Sequence, residues 1–345
     1  MRALAAFQVF VWHFVHTSAT CTSICFTRGY DAGVLSIFEQ GHTGVSLFMC
    51  ISGYVFAKLT DGKEIRTGQF WLNRAIRLLP LLATWSAITL ATAMIVDGVS
   101  LSQVWESIRE SGSVHTLLPP GGWSVMLEIQ FYLLFPFMLA FVRRFGHEWI
   151  VALLVLIVVL RLLYWMKYGS VQYLSYWTLG GRIDQLLIGY LAFHYRSRHI
   201  VAIGAAGTVL LVWAYAAFDA RGGFWGIDGY PSRNVLWVYW PLLEAICYSA
   251  MIAAYATLKL PKMLDVALAK AGTWSYSIYL GQFCFVPVAF FLIASWFGMP
   301  ESFGGRLAWA AAAFPLLAGM AAITYTTIEK PFLALRRNYI AKPAE

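Results

Sequence analysis

The sequence predicts an all-α integral membrane protein with about ten transmembrane helices and both termini in the cytoplasm. Of its 345 residues, 60% are hydrophobic and 12% are charged, whereas about a quarter of an ordinary soluble protein is charged. Apolar runs of about 20 residues, enough to cross a hydrocarbon core about 30 Å thick, recur along the chain. Helices are expected because backbone polar groups find no hydrogen-bond partner in lipid and must be paired within the segment. The runs also lack the alternation of polar and apolar residues that is typical of barrel strands.

The apolar runs leave no stretch long enough for a second, soluble domain. We therefore assign residues 1–335 to one transmembrane domain and 336–345 to a short cytoplasmic tail. The predicted spans, in chain order, are 2–18, 41–59, 79–96, 123–142, 149–166, 176–195, 199–218, 235–257, 272–296 and 306–328.

The first span also meets the description of a signal peptide, since a short basic start and an apolar run precede the small residues at 17–19. Cleavage there would remove His13. The loop charges alternate correctly over the later spans only if this segment is kept, so we interpret it as the first transmembrane helix.

Lysines and arginines concentrate in alternate connecting segments, as they do in cytoplasmic loops. The same residues account for the net charge of +8. Because no long basic run is interleaved with exposed aromatic residues, a nucleic-acid partner is not expected. The basic segments, in chain order, are the start at Arg2 and those around 58–77, 143–144, 196–198, 259–270 and 330–342.

Cysteine and histidine spacing gives no metal site. Cys21 and Cys25 lie in the first outer loop, where an oxidising compartment would allow a disulfide, but the spacing alone leaves that pairing open. His16 and His42 are too far apart in sequence to form a recognisable zinc ligand set. No metal is predicted, and no permanently bound cofactor is expected.

Ionisable residues inside spans indicate a protein interior or a wet cavity, because a charge at the bilayer centre costs about 2.5–3.5 kcal/mol. At about 1.5 Å per residue, His13 stands about 16 Å above Arg2, and Glu128 lies about 8 Å below the outer face. Arg182 and Asp184 enter about 9–12 Å from that face. The four side chains are therefore expected to converge in the outer half.

Other charged groups in the spans have simpler interpretations. Arg161, near the outer end of its span, is interpreted as a snorkelling side chain, and His16 as the solvated end of the first helix. Arg182 and Asp184 are either a buried ion pair or substrate contacts. Arg74 and Arg77, three residues apart on one helical face, suit a phosphate-bearing ligand or ordinary cytoplasmic anchoring.

Seven segments together resemble the successive signatures of the membrane-bound acyltransferase-3 family. The resemblance implies a ten-helix domain in the bacterial inner membrane. It also implies transfer of an acyl group, usually acetyl from acetyl-CoA, to hydroxyls of exported carbohydrates or related glycolipid acceptors. The segments are Arg2-x10-His13, GHTGVSLFMCISGYVFA at 41–57, FWLNRAIRLLP at 70–80, WSVMLEIQFYLLFP at 123–136, GGRIDQLLIGYLAF at 180–193, SYSIYLGQF at 275–283 and TYTTIEKPF at 324–332.

The resemblance carries roles to individual residues. His13 matches the position regarded as catalytic in the family, and two positions depart from the pattern: Ser46 stands where many members have aspartate, and Gln282 where many have histidine. An essential role for those two positions is therefore doubtful. The other matching residues are Arg2, Arg74 and Arg77 on the donor side, Glu128, Tyr279 and Glu329.

Acyl transfer to an alcohol needs a base for the hydroxyl proton, and neutral imidazole suits that task near pH 7. We expect His13 to be this general base and Glu128 its orienter or a second acid/base group. Transfer through a covalent acyl-enzyme intermediate remains an alternative, and so does delivery of the acyl group by a separate partner chain. The acceptor is expected at the outer loops 97–122 and 219–234, whose aromatic residues also suit lipid-interface anchoring.

Two other function classes stay open. A transporter would use the intramembrane His, Glu and Arg side chains as a proton or substrate path, and would favour an inverted repeat that the sequence does not show. A non-catalytic membrane scaffold is supported by the two departures at Ser46 and Gln282.

Overall fold

The fold is built from helices. Within the described residues the single β contact is an isolated antiparallel bridge between Ile65 and Ile340, so the all-α prediction is confirmed. The ranges that the computed structural model describes are 1–18, 32–111, 117–195, 197–227 and 229–340. The α-helices are α1 (Arg2–Val15), α2 (Ser36–Glu39), α3 (Gly44–Thr60), α4 (Thr67–Val96), α5 (Leu101–Ser111), α6 (Gly122–Phe145), α7 (Glu148–Tyr168), α8 (Gln172–Trp177), α9 (Ile183–His194), α10 (Ile200–Asp219), α11 (Leu236–Tyr255), α12 (Lys262–Thr273), α13 (Ser275–Phe297), α14 (Phe303–Thr324) and α15 (Lys330–Leu333).

Among the described residues, eight helical segments are long and apolar enough to cross a membrane, and each overlaps a predicted span. Large apolar side chains such as Val155 on α7 and Trp213 on α10 are exposed, as expected on helices that face lipid. The chain is therefore a polytopic membrane protein. The eight segments are Gly41–Thr60, Thr67–Val96, Gly122–Phe145, Glu148–Tyr168, Ile200–Asp219, Leu236–Tyr255, Ser275–Phe297 and Phe303–Leu333. Cys21 and Cys25 lie outside the described residues.

The first predicted span forms a shorter helix than expected. Helix α1 has 14 residues, about 21 Å of rise, and it packs against α3, α13 and α14. The interpretation of His16 as a solvated helix end is wrong. Its ring is fully buried, 2.8 Å from the Trp12 carbonyl oxygen and 2.9 Å from a carboxylate oxygen of Glu39. Protein rather than water therefore surrounds the end of α1.

The sixth predicted span, 176–195, is interrupted rather than continuous. A turn separates α8 from α9, and a Cβ at Gly181 would lie only 1.8 Å from the Leu174 carbonyl oxygen, so the chain bends back on itself there. The turn frees carbonyl groups, which need partners in a membrane. Two arginines supply them, because Arg182 Nε donates to the Tyr176 carbonyl (2.6 Å) and Arg161 donates to that of Gly181.

Helices α3 and α9 pack closely at two glycines. A Cβ at Gly53 would lie 2.0 Å from the Leu186 carbonyl oxygen, and one at Gly189 would lie 2.2 Å from that of Cys50. Neither position has room for a side chain, so the two backbones are in contact. The GHTGVSLFMCISGYVFA segment therefore forms the central helix of the bundle, enclosed by α1, α9 and α11.

The C-terminal segment folds back onto the start of α4. The Arg66 backbone N–H donates to the Tyr339 carbonyl (2.7 Å), and the side chain of Asn73 joins the backbone of Arg337 by hydrogen bonds in both directions. Residues 336–340, assigned to the cytoplasmic tail, therefore pack on the membrane domain. Helix α4 itself begins at Thr67, twelve residues before the predicted third span.

Candidate functional site

An inner cavity lies beside the first turn of α1. Its volume is about 80 Å³. Arg2 comes from α1, and Arg74 and Arg77 come from the early turns of α4 that the sequence placed at the mouth of the span. The three arginines expected to bind the donor therefore share one cavity. The charged and hydroxyl-bearing residues of its wall are Arg2, Arg74, Arg77, Glu128, Ser52, Ser124, Ser275, Tyr132, Tyr276 and Tyr279.

Aromatic rings surround the guanidinium of Arg74. Its central carbon lies 5.4–5.8 Å from the centroids of four rings, one of them Tyr339 from the C-terminal segment. Such contacts stabilise a cation by about 0.5–2 kcal/mol each, according to how dry they are. The C-terminal segment thus helps to hold a cavity residue. The four rings are those of Phe56, Phe70, Tyr132 and Tyr339.

Arg77 faces a buried carboxylate. Its NH1 group lies 3.8 Å from Glu329 Oε2, and Ser277 donates to the other oxygen of Glu329 at 2.5 Å. Glu329 ends a π-helical turn, Tyr325–Glu329. Such turns are rare in proteins overall, but those that occur are often found at functional sites. The late glutamate of the sequence signature is therefore the ion-pair partner of a donor-side arginine.

Glu128 belongs to the inner cavity. Ser52 donates to its carboxylate at 3.3 Å, and Tyr132, one helical turn later, donates a short hydrogen bond to the same oxygen. His13 lies instead in the wall of a second cavity. The expectation that the two side chains lie at one level is therefore not met, because Glu128 shares its cavity with Arg2 at the first turn of α1 and His13 lies on the last turn.

An outer cavity of about 560 Å³ lies beside the last two turns of α1. Most of its wall is aromatic, and two imidazoles contribute as well. Of the two outer loops that the sequence singled out, 219–234 supplies three aromatic rings, whereas 97–122 supplies Pro120 and Gly121. Its volume falls in the range of about 300–1,000 Å³ usual for small-molecule sites. The residues of the wall include Trp12, His13, His42, Gly121, Trp123, Tyr176, Trp177, Phe224, Trp225, Tyr230, Tyr279 and Phe283.

His13 is 8% exposed and reaches this cavity from the last turn of α1. Its ring meets that of Phe283 edge to face, with centroids 4.6 Å apart. The side chain of Gln282 interacts with His13 and also donates to the Tyr279 carbonyl (2.9 Å). A departure from the family pattern therefore lies directly beside the residue expected to be the base.

Two residues, Val45 and Tyr279, line both cavities. The Tyr279 hydroxyl lies 2.7 Å from that of Ser124 and donates to the Gly121 carbonyl at 3.0 Å. These hydrogen bonds hold the phenol between α13 and the start of α6. Tyr279 and Val45 are therefore the partition between the arginine-lined cavity and the cavity that contains His13.

Arg182 and Asp184 are both buried, but they do not pair with each other. Asp184 forms an ion pair with Arg161, whose NH1 group lies 2.8 Å from Oδ2, so the interpretation of Arg161 as a snorkelling side chain is wrong. Arg182 lies behind the outer cavity, where its guanidinium carbon is 4.2 Å from the centroid of the Tyr176 ring and 5.8 Å from that of Trp123. The predicted pair of Arg182 and Asp184 is therefore replaced by an ion pair between Asp184 and Arg161 and by the packing of Arg182 on aromatic rings.

Sequence reasoning missed Glu244, a carboxylate that is 3% exposed on α11. The signal was present, since an acidic residue within an apolar run of 20 is costly unless protein surrounds it. His42 was considered only as a zinc ligand, and the structure places its ring in the wall of the outer cavity.

Comparison with known proteins identifies a family. The model of the acyltransferase-3 family, described as an acyltransferase domain, matches residues 1–327. It covers the whole of both cavities. No curated protein and no solved structure matches the chain.

Proposed function

Because the chain belongs to the acyltransferase-3 family and is a multi-pass membrane acyltransferase, we propose that it moves an acyl group, which we expect to be acetyl, from cytoplasmic acyl-CoA to a carbohydrate or glycolipid hydroxyl. We place it in a bacterial inner membrane. The observation that carries the proposal is the pair of cavities, one lined by three arginines and the other containing His13, which meet at Tyr279 and Val45.

The inner cavity suits the donor. Arginines bind phosphates in a planar, bidentate manner, and Arg2, Arg74 and Arg77 outnumber the nearby carboxylates of Glu128 and Glu329. A volume of about 80 Å³ admits the acyl thioester but not a nucleotide. The phosphates of acyl-CoA therefore lie at the basic end of the cavity, and the acyl group points towards Tyr279.

The outer cavity suits a sugar acceptor. Trp123 and Tyr176 offer flat apolar faces for a pyranose ring, and His13 and His42 offer polar groups for its hydroxyls. The aromatic residues of the loop 219–234 then have a use besides anchoring at the lipid interface. This wall also includes Trp225 and Tyr230 from the loop around 219–234.

His13 takes the proton of the acceptor hydroxyl as its oxygen attacks the acyl carbonyl carbon. The new C–O bond forms, the C–S bond of the thioester breaks, and the proton passes to the CoA thiolate, which leaves as the free thiol. The acyl carbon must cross between Val45 and Tyr279 for the two reactants to meet, either still attached to CoA or after transfer to a side chain. Glu128 then acts on the donor side, where it holds Ser52 and Tyr132.

The test is an acyl-transfer assay with purified protein in proteoliposomes. Labelled acetyl-CoA and candidate glycans are supplied, and label on the glycan is measured for the wild type and His13→Ala. We expect loss of a base to lower the rate by about 10²–10⁴-fold. His199→Ala is the matched control, because His199 lies in a polar loop on an exposed surface outside both cavities.

Equal transfer by the wild type and His13→Ala would remove His13 from the mechanism. Movement of the glycan across the bilayer without acylation would favour a transporter, and neither activity would favour a scaffold. In cells, NMR of surface polysaccharide with and without the gene would identify the acceptor.

A further inference from the structure

Glu244 is a buried carboxylate that the proposed reaction does not use. Each of its oxygens accepts two hydrogen bonds. One oxygen accepts from the hydroxyls of Thr43 (2.6 Å) and Tyr215 (2.5 Å), and the other from Ser46 (2.9 Å) and the Gln185 amide (3.1 Å). The donors come from α3, α9, α10 and the turn before α3, so one acidic side chain on α11 joins four segments of the bundle.

The same two side chains also contact Arg182. Its NH1 group donates to Ser46 Oγ (3.0 Å) and to Gln185 Oε1 (3.1 Å). Ser46 and Gln185 therefore lie between a buried cation and a buried anion, and they are themselves joined by a hydrogen bond of 3.0 Å.

The direction of these hydrogen bonds is informative. Ser46 accepts from Arg182 and donates to Glu244, and Gln185 accepts through its oxygen and donates through its nitrogen in the same order. Every bridging group thus presents an acceptor to the guanidinium and a donor to the carboxylate, which is the order that a cation and an anion at the two ends require.

We infer that Glu244 is the counter-charge of Arg182, which it reaches through the hydrogen-bond bridge of Ser46 and Gln185. A buried guanidinium without a compensating anion is strongly destabilising. The other buried carboxylate nearby, Asp184, is already paired with Arg161. The charge balance of this part of the bundle therefore depends on α11.

The pairing also reaches the outer cavity. Arg182 lies against Tyr176 and Trp123, and both rings line that cavity. Glu244 is then a positioning residue for the aromatic wall, and this consequence rests on the proposed function. Many family members have aspartate at the position of Ser46. In this protein the Glu244 carboxylate on the neighbouring helix α11 supplies the negative charge for Arg182 instead.

The experiment relocates the negative charge. Thermal unfolding of the purified full-length protein is measured for Glu244→Gln, for Ser46→Asp and for the double variant. Glu244→Gln leaves Arg182 without an anion, and Ser46→Asp sets two carboxylates against each other, so each should lower the unfolding temperature by several degrees. The double variant restores one cation and one anion in direct contact, and it should recover most of the loss.

A matched control keeps the result specific. Ser249 is also buried on α11, but no hydrogen bond joins it to Arg182 in the described structure. Ser249→Asp combined with Glu244→Gln therefore should not recover stability. A wild-type unfolding temperature for Glu244→Gln, or equal temperatures for the two double variants, would overturn the inference. If the single variants do not fold, the yield of folded protein is compared between the two double variants. A higher yield with Ser46→Asp than with Ser249→Asp supports the inference, and equal yields would overturn it.

A second measurement separates positioning from folding. In the acyl-transfer assay, Glu244→Gln should raise the acceptor KM by about tenfold, the scale of a desolvated cation–π contact, with a smaller change in kcat. Arg182→Met with Glu244→Gln removes both charges, so it should recover part of the stability, less the cost of the Tyr176 carbonyl that loses its donor, and it should keep the raised KM. Recovery of KM in that variant would contradict the positioning role. Unfolding needs no substrate, so absence of acyl transfer in the wild type would refute only the proposed function.

Discussion

The close packing of α3 and α9 predicts a large effect of one methyl group. In Gly53→Ala the added carbon would lie 2.0 Å from the Leu186 carbonyl oxygen, where real contacts rarely fall below 3.0 Å. The helices must therefore separate by about 1 Å, which forfeits a quarter to a half of each dispersion contact across the interface. Overpacking of this kind costs about 1–3 kcal/mol, and occasionally more.

The assay is thermal unfolding in detergent, with Gly319→Ala as the matched control. Gly319 also lies inside a long helix, α14, but a Cβ there would meet nothing within 4 Å. Alanine is preferred over glycine in a helix by about 1 kcal/mol, so the control should be unchanged or more stable. If Gly53→Ala unfolds at the temperature of Gly319→Ala, the packing argument is refuted.

Two further predictions concern charged side chains. Arg161→Met leaves Asp184 buried without its partner and should lower the unfolding free energy by about 3–5 kcal/mol. Adding Asp184→Asn to that variant should recover much of the loss. Thermal unfolding tests this, and equal stability of the single and the double variant would contradict the prediction. Tyr339→Ala removes one of the four rings around Arg74. We therefore expect the KM for acyl-CoA to rise by up to about tenfold, with no change in the KM for the acceptor. An unchanged KM for acyl-CoA would show that the C-terminal segment does not support the inner cavity.

The sequence predicts the helices better than it predicts the contacts between them. Eight predicted spans coincide with long helices because an apolar run of 20 residues has few alternatives in a membrane. The sixth span is interrupted between Trp177 and Ile183, where the chain bends back so that Gly181 lies against the Leu174 carbonyl, a contact that only the fold reveals.

The candidate site was predicted in part. The sequence brought Arg2, Arg74 and Arg77 together correctly, because the family signatures place them on one side. It set His13 beside Glu128 because the depth of Glu128 was counted from Trp123 as the outer face, whereas Trp123 lines the outer cavity and Glu128 shares the inner cavity with Arg2. The partner of Asp184 was likewise wrong, since a residue 23 positions earlier on α7 competes with the adjacent arginine.

The interrupted pair α8 and α9 bears on how the chain enters the bilayer. Helix α9 has 12 residues, about 18 Å, and begins beside the charge of Asp184. Such a segment is too short and too polar at its start to partition into lipid by itself. Because its anion and the freed carbonyl of Gly181 are both bound by Arg161 of α7, we expect α7 and α9 to enter the bilayer together, with these charges already neutralised.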